Sequence, residues 1–239
     1  MTLVLRTASV SDPGLVRPNN EDARYTGRRL IAVADGMGGL PAGEVASALV
    51  IQALAPLDES TPESVPTAVL SRAILTANQR IREATAADPA TAGMGSTVTA
   101  MLLCDDDLAM VHVGDSRGYL LRQGTLRQLT RDDTFVQMLV DDGVLTAEQA
   151  RTHPQRSLVT SAVQGAGVLP STGVLAGMAG DRLLLCSDGL SDVVTDQAIA
   201  RVLATHTERE QCAEQLVKLA HQAGAPDNVT VVVADLVAV

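Results

Sequence analysis

Apolar positions along the chain follow two periods. Short aliphatic runs bounded by turn residues, at 29–34, 97–104, 108–114, 181–187 and 229–234, predict buried strands, and residues 3–10 alternate loosely as another. Between 65 and 86 the apolar residues at 70, 74, 77 and 81 keep helical spacing, so one face is core and the arginines at 72, 80 and 82 face solvent. Helices are also predicted over 43–54, 195–204 and 208–223, the last with an apolar face at 212, 216, 219 and 223. Asp105-Asp-Asp107 and Gln123-Gly124 read as hairpin turns, and residues 56–66 as a linker. His112 alternates with Val111 and Val113 and reads as a packed strand residue. Two helices among the early strands and two after the late ones predict a sheet-rich α/β sandwich with helices outside.

Residues 130–165 break this pattern. A capped short helix ends at Asp142-Gly143, a second runs over 146–151, and His153-Pro-Gln-Arg156-Ser157 is irregular. Two readings stand: a mobile flap beside a site, or a surface excursion.

Composition narrows the class. With 239 residues and 46% hydrophobic content, the chain can bury a core as a single domain over 1–239. No apolar run approaches the roughly 18 residues of a membrane span, and the opening residues read as a strand, not a signal peptide. Cys104, Cys186 and Cys212 are too dispersed for a disulfide framework or a zinc cluster. A protein that is not exported, kept in a reducing cytoplasm, is the expectation. A formal charge of −10 with one Phe, two Tyr and no Trp argues against nucleic acid as a partner. No long exposed apolar heptad offers itself, so a monomer is expected.

The chemistry lies at strand ends. Ile31-Ala-Val-Ala-Asp35-Gly36 is an apolar run that stops at a carboxylate and a glycine, and Leu183-Leu-Leu-Cys-Ser-Asp188-Gly189 repeats it. Asp115 ends a third strand, and Asp227-Asn228 precedes the last. One Asp-Gly alone is an ordinary turn, but four such carboxylates need a counter-charge. Oxygen ligands without paired His or Cys select hard ions such as Mg²⁺ or Mn²⁺. Two such ions about 4 Å apart can hold a hydroxide between them and clamp a phosphoryl oxygen during in-line attack. The polar loop at 16–22 is either a solvated turn or a place where Arg17 holds an anion while Glu21 and Asp22 order metal-bound water.

The ordered set Val16-Arg-Pro-Asn-Asn-Glu-Asp22, Asp35-Gly-Met-Gly-Gly39, Gly95-Ser-Thr97, Val113-Gly-Asp-Ser-Arg117, His153-Pro-Gln-Arg156, Ser187-Asp-Gly189 and Asp227-Asn-Val-Thr230 resembles the metal-dependent serine/threonine protein phosphatases of the PPM (PP2C) family, bacterial type. It runs in order through nearly the whole chain. The resemblance implies an α+β fold, an αββα sandwich of two antiparallel sheets flanked by pairs of helices. It implies that Asp35 bridges two core Mg²⁺ or Mn²⁺ ions, that the Gly36 carbonyl binds one, and that Asp188 and Asp227 complete the other. Asp115, with Asp188, would help hold a third ion. Glu21 and Asp22 would act through metal-bound waters, Arg17 would bind the substrate phosphate, and residues 130–160 would be the flap. Hydrolysis of phosphoserine and phosphothreonine in proteins, opposing a bacterial Ser/Thr protein kinase, is the implied activity.

The chain departs from the family pattern at three places. Met37 stands where animal members carry a His proposed as general acid, Asp133 where many relatives have a His, and Ser161 where an Arg is usual. A partner-switching phosphatase would bring extra sensory segments, and a catalytically dead phosphoprotein binder would lack a core aspartate. Asp35, Asp188 and Asp227 are all present. A nuclease would need a surface able to grip a strand, which this composition does not offer.

Overall fold

Alternation inside the apolar runs decides the architecture. In a computed structural model, described over residues 2–38, 42–60 and 65–239, strand β3 (Leu30–Met37) points Ile31 and Val33 one way and Leu30, Ala32 and Ala34 the other, and both faces are buried. The first set packs against a second sheet and the other against helices. A strand covered on both sides must be apolar at nearly every position, so the runs are continuous.

One sheet has the order β1 (Leu3–Asp12), β11 (Val229–Ala238), β10 (Arg182–Cys186), β7 (Arg117–Arg122), β8 (Thr125–Gln128). The other runs β2 (Asp22–Thr26), β3, β5 (Val98–Cys104), β6 (Asp107–Val113), β9 (Ser171–Ala176), with the short β4 (Gly95–Ser96) on the end of β3. All pairings are antiparallel. Leu5, Ile31, Val33, Met101, Leu183 and Val232 fill the space between the sheets. Helices α1 (Ala42–Leu54) and α2 (Pro66–Ala87) cover the second sheet, and α6 (Asp196–Thr205) and α7 (Arg209–Gln222) cover the first. The expected αββα sandwich is the observed fold.

Local chemistry sets the helix ends. Pro66 starts α2 where its missing N–H costs nothing. Thr134 caps α3 (Phe135–Asp141), Thr146 and Gln149 form a reciprocal capping box on α4 (Ala147–Arg151), and Thr195 caps α6. The Asp105 turn and the Gln123-Gly124 hairpin form as expected, with Asp105 and Gln123 both left-handed at φ 52° and 51°. His112 is buried, bonded to Thr99 Oγ1 at 2.9 Å and to the Arg131 carbonyl at 3.0 Å.

Several expectations need correction. The edge strands β2 and β9 were not foreseen, because each is half exposed and carries no apolar run. The buried face of α7 is Cys212, Ala213, Leu216, Val217 and Ala220; Leu219 is half-buried and Ala223 is exposed past the helix end. The expected linker opens as a 3-10 turn, Ala55–Asp58, whose Asp58 carboxylate accepts the Arg29 and Leu30 N–H groups at 2.7 and 2.8 Å. Residues 61–64 of that linker, and Gly39 of the glycine run, lie outside the described residues. Among the described residues no helix is long and apolar enough to cross a membrane.

Candidate active site

The acidic strand ends meet at one edge of the sandwich. Asp35 sits in β3 directly across from Asp22, the first residue of β2. Asp188 follows β10, Asp227 precedes β11, and Asp115 occupies the turn between β6 and β7. Asp35, Asp115, Asp188 and Asp227 line one cleft of about 650 Å³ together with Arg17, Glu21, Gly36 and Met37. Asp22 lies behind it, its carboxylate accepting the Ser187 hydroxyl at 2.8 Å.

Backbone and hydroxyl bonds fix these positions. Thr97 clamps Asp35 twice, its Oγ1 accepting the Asp35 N–H at 3.1 Å and its N–H donating to the Asp35 carbonyl at 2.9 Å. The Thr97 and Ser116 hydroxyls share a 2.6 Å bond, linking β3 to the turn that carries Asp115. Asn228 ties the 13–21 loop to the last strand. Its Oδ1 accepts the Glu21 N–H at 2.8 Å, and its Nδ2 donates to the Pro13 and Asn19 carbonyls at 3.0 and 2.8 Å.

The Asp-Gly pairs are not the ordinary turns that a lone Asp-Gly makes. Gly36 is in strand and Gly189 is in the helical turn α5 (Asp188–Ser191), so neither makes a turn of its own. A Cβ on Gly36 would lie 2.1 Å from the Gly43 carbonyl oxygen, and one on Gly189 2.0 Å from that of Asn228. Only glycine lets the chain pass so close. The turn after β3 falls to Gly38, at φ +131°.

Burial and mutual repulsion act on the carboxyls together. Burial, then the charges of Asp22, Asp188, Asp115 and Asp227, drives Asp35 well above the ordinary carboxylate range. Asp188 rises for the same reasons, burial first and then the charges of Asp115 and Asp192. Burial pushes Asp115 to about 7 and Asp22 to about 6, the latter against the hydroxyl bonds that favour its charge. Glu21 is raised by partial burial. Three buried side-chain polar atoms among the described residues lack a hydrogen-bond partner, and two are Asp22 Oδ1 and Asp188 Oδ1. Orphaned buried carboxylate oxygens in a crowded acidic cleft fit divalent cations. Among the described residues no three acidic, His or Cys side chains converge on one point. Mg²⁺ and Mn²⁺ keep much of their water and need only one or two carboxylates each.

Arg17 is the only cation among the described residues lining the cleft, and its Nη2 donates to Asp227 Oδ2 at 2.7 Å. Of residues 130–165, Ser157, Leu158 and Val159 form one wall of the cleft. The segment is pinned by a bridge between Thr134 and Val159 and by the Thr160 N–H on the Asp133 carbonyl at 2.7 Å. Asp133 also accepts the Gly114 N–H on its carboxylate at 3.0 Å, and so holds the turn that carries Asp115. Thr97, Ser187 and Asn228 stood in the sequence motifs without a role of their own. Ser187 and Asn228 abut Asp188 and Asp227, whereas Thr97 is next to no site aspartate in the sequence.

A family profile described as "Protein phosphatase 2C" matches residues 19–222. The chain is 54% identical over 99% of its length to "Serine/threonine protein phosphatase PstP" of Mycobacterium tuberculosis, covering 46% of that protein. It thus spans about half the length of the curated relatives at that level. "Serine/threonine phosphatase stp" of Listeria welshimeri is 33% identical over 94% of this chain and 93% of its own. Among solved structures, the M. tuberculosis PstP/Ppp phosphatase superposes with a TM-score of 0.96 at 53% identity, covering 98% of this chain and all of that one. The PstP catalytic domain "in complex with 2 Manganese ions" superposes with a TM-score of 0.94 at 52% identity, covering 99% of this chain and 100% of the other.

Proposed function

The chain belongs to the protein phosphatase 2C family, and on that footing we propose that it hydrolyses phosphoserine and phosphothreonine in proteins with Mg²⁺ or Mn²⁺, opposing a bacterial Ser/Thr protein kinase. One observation carries the proposal. Four strand-end aspartates share one cleft with a single guanidinium, and a buried oxygen on Asp188 and another on the neighbouring Asp22 have no hydrogen-bond partner.

Asp35 and the Gly36 carbonyl, with Asp188 and Asp227, would hold two ions, as the manganese complex of a relative supports. Asp115 with Asp188 would hold a third. Two divalent ions bound there would supply the missing counter-charge, make water acidic enough to attack, and draw charge off the phosphoryl oxygens. Arg17 offers a planar fork to the substrate phosphate, and Asp227 keeps that fork at the cleft wall. Glu21 and Asp22 orient water around the ions, with Asp22 itself oriented by Ser187. Met37 lines the cleft and carries no proton to give, so the leaving serine or threonine oxygen takes its proton from water.

The test is phosphate release from a phosphothreonine peptide beside a phosphodiester such as bis(p-nitrophenyl) phosphate. Manganese-dependent release from the peptide, abolished by chelator and far faster than diester cleavage, is expected. A preference for the diester would overturn the assignment.

A further inference from the structure

A large aliphatic side chain stands in the catalytic cleft with nothing to cover it. Leu158 is 49% exposed, yet it lines the same cleft as Asp35, Asp188 and Arg17. Its exposure is not that of a loose loop. The Leu158 N–H donates to the Gln155 carbonyl at 3.1 Å, and its own carbonyl accepts the Phe135 N–H at 2.9 Å at the start of α3. The following residue, Val159, bridges to Thr134, and the Arg156 guanidinium lies 3.3 Å from Asp192. Leu158 is therefore held at a fixed height on the cleft wall, with Val159 beside it and Pro18 and Met37 also lining the cleft.

The apolar surface of this wall restricts what can lie against it. Among the described lining residues Arg17 is the sole cation and is engaged by Asp227, so an acidic side chain flanking the phosphorylated residue finds no free guanidinium among them. A strongly hydrated flank would strip water from an aliphatic wall without replacing its hydrogen bonds. An aliphatic flank removes Leu158 from water and loses nothing.

Resting on the phosphatase reading above, we propose that Leu158 is a specificity-determining residue, selecting phosphoprotein segments with an aliphatic side chain next to the phosphorylated serine or threonine. Leu158 and the aspartates line one cleft, so a segment whose phosphate enters it has Leu158 on one wall.

The experiment compares two phosphothreonine peptides identical except for one neighbouring residue, Leu or Asp, with p-nitrophenyl phosphate as a substrate without flanks. In the Mn²⁺-loaded wild type, kcat/KM should favour the Leu peptide by about tenfold, mostly through KM. In Leu158→Ser the ratio should fall to near 1, and in Leu158→Met it should be kept. Melting temperature checks that each variant is folded. Equal turnover of both peptides by the wild type, or an unchanged ratio in Leu158→Ser, would overturn this inference while leaving the phosphatase reading intact. Absence of turnover on all three substrates would overturn both.

Discussion

Arg17 donates to Asp227 at 2.7 Å across 210 positions of sequence, joining the first loop of the chain to the mouth of its last strand. The bond raises the already high pKa of the guanidinium, first through the hydrogen bond and then through the carboxylate charge. The pair is half open to water, with side-chain exposures of 55% and 34%, so its place is in the cleft and its contribution to stability is small. Arg17→Ala should therefore lower kcat/KM about 100-fold while changing stability by less than about 0.5 kcal/mol. Arg17→Lys should recover only part of the loss, since a lysine cannot present a fork. Steady-state kinetics beside urea unfolding checks both halves.

The buried carboxyls make the metal-free protein sensitive to pH in an unusual direction. Asp22 and Asp115 titrate near 6 and 7 when folded, against about 4 when unfolded. Between those values the folded chain holds protons that the unfolded chain has released, so stability falls as pH rises. Asp35 and Asp188 act in the same direction. With chelator present, the melting temperature should drop by several degrees from pH 5 to pH 7.5, and excess Mn²⁺ should cancel the drop. A chelated protein that gains stability over this interval would contradict the burial of these charges.

Asp133 offers a sharper test of how the Asp115 turn is held. Its carboxylate accepts the Gly114 N–H at 3.0 Å. Asp133→Ala orphans that donor and should cost about 1–2 kcal/mol, with a loss of activity as the turn loosens. Asp133→Asn keeps an acceptor oxygen and should stay close to wild type in both. Equal damage from the two variants would mean that charge, not the hydrogen bond, is what the position supplies.

The close passages at Gly36 and Gly189 predict intolerance of a single methyl. Each Cβ would meet a backbone carbonyl oxygen at 2.1 or 2.0 Å, and a backbone cannot swing aside as a side chain can. Gly36→Ala or Gly189→Ala should destabilise by about 1–3 kcal/mol or more. Thermal unfolding of the two variants beside Gly124→Ala, where a Cβ meets nothing within 4 Å, separates crowding from backbone strain.

Most of the fold was legible because strands buried on both faces announce themselves. The runs ending at Asp35 and Asp188 fixed both the strands and the carboxylates. The edge strands escaped notice: Asp22–Thr26 and Ser171–Ala176 are half exposed, and their pairing comes from the neighbouring strand, not from their own residues. At the site, the acids could be read from repetition. The roles of Thr97, Ser187 and Asn228 could not, since a hydroxyl or amide that holds a backbone looks like any polar turn residue until the partner strand is in place. Two of the glycines serve close packing against backbone that only the fold brings near, Gly43 for Gly36 and Asn228 for Gly189.

The central claim is that the strand-end aspartates carry metal-dependent phosphate-ester hydrolysis. The most direct measurement is phosphate release from a phosphothreonine peptide by the wild type and by Asp188→Ala, with Mn²⁺ and with chelator. Turnover in the wild type that needs Mn²⁺, and that vanishes in a folded Asp188→Ala, is the predicted result. A folded wild type that binds Mn²⁺ and releases no phosphate, or an Asp188→Ala that keeps full activity, would contradict it.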